Sequence, residues 1–155
     1  MPRKTKLSVQ IADATPDDVQ ELLALIKKEF PYLKTTARRV WDKIDNPYFM
    51  VLKMVDSKRG IIGFAEFQAL DADNGIARLN AVAIKEKFRG KRHAKRLMGA
   101  ALKKMRGNGC TKAVLLVRVN NRKAKSLYKG LGFKKMGMYG RLIDGKKIEE
   151  WEKRL

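Results

Sequence analysis

The densest concentration of chemistry in the chain is Lys85-Glu86-Lys87-Phe88-Arg89-Gly90-Lys91-Arg92-His93-Ala94-Lys95-Arg96, between a strand-like run and a long amphipathic helix. From Lys85 to Arg106 there are ten basic residues and one acid. That sign is wrong for a helix start, because the N-terminus already carries about +0.5 of an elementary charge and favours anions. The like-charge i,i+4 pairs Lys91 with Lys95 and Arg92 with Arg96 each add a penalty of roughly 0.2–0.5 kcal/mol. Such a segment calls for something negative beside it. Free amides at the helix start, a Gly90 that permits close approach and the flanking Arg and Lys together form a cradle suited to a pyrophosphate. The bland alternative is one stretch of a generally basic surface. The segment is neither the nucleotide loop ending in Gly-Lys-Ser/Thr, since no Ser or Thr follows, nor Gly-x-Gly-x-x-Gly.

The whole chain has 155 residues, with 36 Lys and Arg against 16 Asp and Glu, for a formal charge of +20. Its length and 45% apolar content fit a single domain, residues 1–155, with one real core. Four Pro and 12 Gly without a period exclude collagen-like and low-complexity chains. The lone Cys110 can form neither an internal disulfide nor a Cys-rich zinc site. With no apolar run of about 18 residues and no signal-peptide core in Met1–Lys6, the expectation is a cytoplasmic protein that does not enter membranes. A surface this positive attracts polyanions, whether nucleic acid, acidic protein or a phosphorylated cofactor.

The elements that must position the basic segment follow from periodicity. Leu7, Val9 and Ile11 alternate as a strand. Thr15, Pro16 and Asp18 then make a helix-start signal, with Val19, Leu22, Leu23, Ile26 and Phe30 as its apolar face. A second helix is predicted over Thr36–Ile44, with Val40, Trp41 and Ile44 inward. Three strands, Tyr48–Val55, Ile61–Leu70 and Ile76–Ile84, are joined by short polar, Gly-ending connections that favour an antiparallel meander. The long helix carries the stripe Ala94, Leu97, Met98, Ala101, Leu102, Met105 and stops at Gly107 and Gly109. Ala113–Val119 reads as a strand, Asn121–Leu131 as a helix, and two last strands flank Asp144-Gly145. The prediction is an α/β domain with a mixed sheet between helices. The crossover helix makes the strands ending at Ile84 and starting near Ala113 parallel neighbours, and ligands bind at the carboxyl ends of such pairs.

Strand, Arg89-Gly90-Lys91-Arg92-His93-Ala94, then amphipathic helix resembles the acetyl-CoA loop of the GNAT-type N-acetyltransferases, whose pattern is Gln/Arg-x-x-Gly-x-Gly/Ala. Arg89 and Ala94 match its ends, and Gly90-Lys91 its frequent wording; the usual fourth-place Gly is Arg92, whose amide still donates if its dihedrals are helical. Asn121, Ala124, Leu127-Tyr128 and Gly132-Phe133 resemble the family's second segment, Asn-x-x-Ala-x-x-Leu-Tyr-x-x-x-Gly-Phe. The resemblance spans nearly the whole chain. It implies a mostly antiparallel sheet of about seven strands, flanked by about four helices and splayed between the fourth and fifth strands. It also implies that backbone groups of Val82, Ala83 and Ile84 hold the pantetheine arm of acetyl-CoA. The amides of Arg89, Gly90, Lys91, Arg92, His93, Ala94 and Lys95 would hold the pyrophosphate.

By periodicity Tyr128 is a packing position in the stripe Ala124, Leu127, Tyr128, Leu131. By resemblance it is also the general acid that protonates the departing CoA thiolate. Asn121 caps its helix and, by resemblance, contacts the cofactor. The family's usual carboxylates are absent, with Arg78 and Leu116 at their places. Glu66, the only acid inside the meander, is the remaining candidate base, against the reading of a solvated strand-face Glu or a route through ordered water. His93 could face phosphate or solvent. Lys123, Lys125 and Lys129 read as a solvated basic face, one of them within reach of the 3′-phosphate. The resemblance thus implies transfer from acetyl-CoA to a primary amine, on a protein or a small molecule, in a ternary complex without a metal. The charge favours anionic or neutral acceptors over polycations. Monomer and dimer stay open. So does the competing class, a non-catalytic nucleic-acid- or ribosome-binding module on the same fold.

Overall fold

A computed structural model describes residues 9–155. The strand expected to begin at Leu7 is observed from Val9, and Leu7 itself and the Met1–Lys6 segment lie outside the described residues. The strands are β1 (Val9–Asp13), β2 (Phe49–Asp56), β3 (Gly60–Asp71), β4 (Ile76–Ile84), β5 (Lys112–Arg118), β6 (Lys134–Met138) and β7 (Ile148–Arg154). The helices are α1 (Val19–Glu29), α2 (Ala37–Asp45), α3 (His93–Gly107) and α4 (Arg122–Gly130). One seven-stranded sheet runs in the order β1-β2-β3-β4-β5-β7-β6. Every neighbouring pair is antiparallel except β4 with β5. The predicted meander and parallel pair are thus both present. The insertion of β7 between β5 and β6 was not readable from the sequence order.

Local signals place the helices. The Asp18 carboxylate accepts from Thr15 N at 2.7 Å and pairs with Lys53 at 2.8 Å, closing the entry to α1 after one 3-10 turn at Pro16–Asp18. Thr36 caps α2 by accepting from Arg39 N. Trp41 is a correction: it was expected inward but is 39% exposed, with the Arg38 guanidinium 5.5 Å above its ring. A nine-residue helix with Val40 as its one buried residue has too narrow an apolar stripe to bury both neighbours.

Two cores flank the sheet. Leu22, Ile26 and Val40 of α1 and α2 pack on Ile61, Phe64 and Ala83. Leu97, Met98, Ala101 and Tyr128 of α3 and α4 pack on Leu52, Ile62, Leu79, Leu115 and Trp151. Glu149, buried on β7, receives Lys125 at 2.7 Å and Trp151 Nε1 at 3.0 Å. Burial alone would raise its pKa; these partners and Lys135 outweigh burial and hold it below the ordinary carboxylate value. Lys125 is therefore an ion-pair partner rather than part of the solvated face expected from sequence.

Along β4 the face packed on α3 changes parity. Ala77 and Leu79 point to it, and then Val82 and Ile84 do, because Asn80 is an extra residue opposite the Glu66–Phe67 step of β3. Beyond this bulge Gly63 faces Ile84, and a Cβ on Gly63 would lie 2.5 Å from Ile84 Cδ1 and 2.8 Å from the Ala83 carbonyl. Gly63→Ala is accordingly expected to lower stability by about 1–3 kcal/mol through overpacking. Urea denaturation checks this, and an unchanged midpoint would show that the end of β4 yields to the added methyl.

Candidate active site

The site is an opening in the sheet. Parallel pairing of β4 with β5 runs from Ile76↔Lys112 to Leu79↔Leu115 and stops at the Asn80 bulge, so Asn80–Ile84 and Leu116–Arg118 continue without each other. Lys85 N donates to Ile62 O at 2.7 Å. By the alternation of an antiparallel ladder, the main-chain groups of Ile84 and Val82 then point away from β3 into the opening, while those of Ala83 face β3. The opening broadens into a cleft of about 1380 Å³. It runs from the α3 start, past Val82 and Tyr128, to α2 and the polar edge of β3.

At one end lies the basic segment. A 3-10 turn at Glu86–Phe88 leads into Gly90 at φ 80° and Arg92 at φ 61°, and α3 begins at His93. Lys91 and Arg92 therefore precede the helix, and their expected i,i+4 pairs within it do not form as helical pairs. Arg92 does not have the helical dihedrals on which donation by its amide depended. It adopts the left-handed conformation that a glycine takes without strain, which costs a residue with a Cβ about 1–2 kcal/mol. The first amide to return into the helix is Arg96, which donates to Arg92 O at 3.1 Å. The amides of His93, Ala94 and Lys95 thus have no intrahelical acceptor, no side chain caps them, and no acid stands in the first turn.

Arg89 is taken up within the protein: its amide donates to Glu86 O at 3.2 Å, so it is not free for the pyrophosphate expected there, and its side chain reaches elsewhere. Nε donates to Ile84 O at 2.9 Å and Nη2 to both Glu29 oxygens at 2.7 Å, tying the end of β4 to the end of α1. The Ile84 carbonyl is therefore already in use by the protein. His93 lines the cleft, and its Nδ1 is buried without a hydrogen-bond partner among the described residues. Burial first, then Arg96 and Lys91, push its pKa below the ordinary value, against a smaller opposing pull from Asp56. At neutral pH the ring is uncharged.

At the other end, Glu66 is buried, which overturns the reading of a solvated strand-face carboxylate. Lys43 Nζ of α2 donates to its two oxygens at 3.1 and 3.2 Å, and Asn80 Nδ2 donates to Oε2 at 2.7 Å. Asn80 also donates to Gln68 Oε1 at 3.2 Å and accepts from Arg78 Nε at 2.9 Å. Lys43 and Asn80 were not singled out from sequence. For Asn80 a signal existed, the parity break between Leu79 and Val82; for Lys43 the signal was a base one turn from Val40 on the buried side of α2.

Tyr128 stands between the two ends. Asn121 caps α4, its Oδ1 accepting from Ala124 N at 3.1 Å, and the short apolar stripe of the helix turns Tyr128 inward against Phe133, with ring centroids 6.0 Å apart. Burial pushes the phenol up to about 12. Asn121, Lys123 and Tyr128 all line the cleft, so packing and site positions coincide at Tyr128.

Residues 18–133 match the profile of the Acetyltransferase (GNAT) family, and the chain belongs to that family. No curated protein sequence matches it. Among solved structures it is similar to Ard1 from Thermoplasma volcanium, at TM-score 0.83 and 20% identity over 96% of this chain and 98% of the other. NAA60 from Arabidopsis thaliana, solved in complex with acetyl-CoA, gives 0.81 and 18% over 95% and 98%. PaiA N-acetyltransferase from Thermoplasma acidophilum, solved with coenzyme A, gives 0.78 and 20% over 96% and 99%. Acetyl-CoA is the acyl donor of the family, and the residues here fit it. Three uncapped amides suit a pyrophosphate, and the outward edge of Val82 and Ile84 suits an amide-bearing arm. Among the described residues no helix is long and apolar enough to cross a membrane.

The strain at Arg92 can be separated from its charge. Arg92→Gly and Arg92→Ala remove the same guanidinium, but only the first relieves the left-handed backbone. The Gly variant is expected to be the more stable by about 1 kcal/mol in urea denaturation. Equal stabilities would show that the loop relaxes without cost.

Proposed function

We propose that the protein transfers an acetyl group from acetyl-CoA to a primary amine by direct attack within this cleft. The observation that carries the reading is that a proton-loaded phenol, Tyr128, and a buried carboxylate, Glu66, line one cleft that also receives the uncapped start of α3. Acetyl-CoA supplies an activated acetyl thioester. The amides of His93, Ala94 and Lys95, with Gly90 and Lys91, bind its pyrophosphate. Val82 and Ile84 align its arm, and Asn121 and Lys123 lie against it.

Glu66 receives the acceptor's ammonium in place of Lys43 and takes its proton at Oε1 or Oε2, directly or through water, leaving a neutral nucleophile. Tyr128 Oη is aimed at the charge that develops on the departing sulfur. A phenol at about 12 is a weaker acid than a thiol near 8.5, so complete transfer from Tyr128 costs about 5 kcal/mol. A hydrogen bond to the sulfur carries no such cost. Tyr128 thus stabilises the leaving thiolate as a donor, and the proton released by the amine completes the balance.

Tyr128→Phe is expected to lower kcat by about 10²–10⁴-fold while acetyl-CoA affinity stays within about threefold. Steady-state kinetics with calorimetric titration of acetyl-CoA measure the two separately, and unchanged turnover would remove Tyr128 from the reaction. The active phenol is the protonated form, lost only as pH rises through about 12. The rate should therefore rise with pH as the amine deprotonates and show no descending limb between about pH 7 and 10. A fall within that window in kcat would contradict Tyr128 as the donor.

A further inference from the structure

The half of the cleft beneath α2 has a definite charge pattern. Its two acids are already matched: Glu66 by Lys43 at 3.1 Å, and Glu29 by Arg89 at 2.7 Å. Its cations are not. Arg39 and Arg78 line the cleft without a carboxylate partner among the described residues, and Arg118 has only the exposed Asp144 at 3.4 Å.

Arg78 is the best ordered of these. It lies one pair before the end of the β4–β5 ladder, opposite Gln68 on one side and Val114 on the other. Nε is held by Asn80 Oδ1 at 2.9 Å and Nη2 by Gln68 Oε1 at 3.4 Å. Both holders are neutral amide oxygens. They orient the guanidinium plane without cancelling its charge, and they leave most of its five donors unused. A planar cation fixed in this way is preorganised for the two oxygens of a carboxylate.

Asn80 links this cation to the anion of the site. One of its ends accepts from Arg78 and the other donates to Glu66, so a fixed positive group and a fixed negative group stand one asparagine side chain apart. Lys43, whose side chain is 38% exposed, marks where an ammonium sits on Glu66. An occupant complementary to the pair carries an amine for Glu66 and, close by, a carboxylate for Arg78. A polyamine would instead bring its second ammonium against Arg78, with Arg39 and Arg118 adding repulsion.

Building on the transferase reading above, we propose that the acceptor is an amine with a carboxylate beside it, a free acidic amino acid or a peptide with an acidic first residue. Arg78 binds the carboxylate and is the specificity-determining residue. The acceptor amine displaces Lys43 from Glu66.

The full chain, with acetyl-CoA and a thiol-release readout, tests this against free glutamate and glutaminamide, in which both carboxylates are replaced by amides, matched peptides beginning with Glu or Gln, and spermidine. The expected result is a kcat/KM for the Glu acceptors at least about tenfold above their Gln isosteres, carried mainly by KM, with spermidine poorest. Whether free glutamate or the Glu peptide is the better substrate separates the two sources, and either bears the assignment out. In Arg78→Gln the Glu-to-Gln ratio should fall by about tenfold, in Arg78→Lys less, and in Arg78→Glu it should invert. Acetyl-CoA titration of each variant reports whether it is folded; if none folds, the wild-type ratios alone decide. Equal ratios in the wild type, or a preference for spermidine, overturn this assignment while leaving the transferase reading intact. Acetyl-CoA binding without turnover of any amine overturns both.

Discussion

The interaction on which the site depends is one that ends: the parallel ladder between β4 and β5 closes at Leu79↔Leu115 and does not resume. A buried strand edge is costly unless its main-chain groups find partners. The extra residue at Asn80 bends β4 away from β5, and the same bulge rotates Val82 and Ile84 onto the α3 core while presenting their main-chain groups to the opening. Arg89 takes one of those groups, the Ile84 carbonyl, and anchors the diverging strand to α1. The cleft is thus held open by packing on both faces of β4 and by one bidentate ion pair at its end. A ligand arm with amide groups can supply the hydrogen bonds that β5 withholds.

The bulge also arranges the polar chemistry. Asn80 is exposed at the bulge, and from there it reaches Glu66, Gln68 and Arg78 at once. Cross-strand spacing on the antiparallel β3–β4 pair then sets the distance between carboxylate and guanidinium more firmly than either flexible side chain could alone. α2 adds Lys43 from above, so the buried carboxylate is never left without a counter-charge.

Much of this was legible in the sequence where local rules act. Strand and helix boundaries followed from periodicity and capping residues, and β4 was read at its observed limits, Ile76–Ile84. The basic, acid-free start of α3 was read from charge density alone. Where the reading went astray, the deciding contact was distant in sequence. Glu66 looked solvated because its partners, Lys43 and Asn80, lie 23 and 14 residues away. Arg89 looked like a phosphate ligand as a whole residue until Glu29, 60 residues earlier, was seen to hold its side chain. Lys125 looked like surface until β7 brought Glu149 beneath it. The bulge is the instructive case, since the shift from Ala77 and Leu79 to Val82 and Ile84 is written in the chain as a broken alternation.

Arg92 shows how the charge at the α3 start relates to ligand. A cationic residue with a Cβ occupies a left-handed position at a helix N-terminus, so conformational strain and the helix dipole both act against it in the free protein. Neither Gly90 nor any side-chain cap offsets this, and the uncapped amides add unsatisfied donors. In the proposed complex a pyrophosphate offsets the last two of these, accepting from the amides at the positive end of the dipole beside Lys91, Arg92 and Lys95, while the backbone strain at Arg92 stays with the loop. Under that proposal the stabilisation of the fold by its donor grows with donor concentration as mass action requires. The +20 charge of the chain is in this segment a local excess at an uncapped helix start, whereas beneath α2 it is an oriented guanidinium with no carboxylate partner among the described residues.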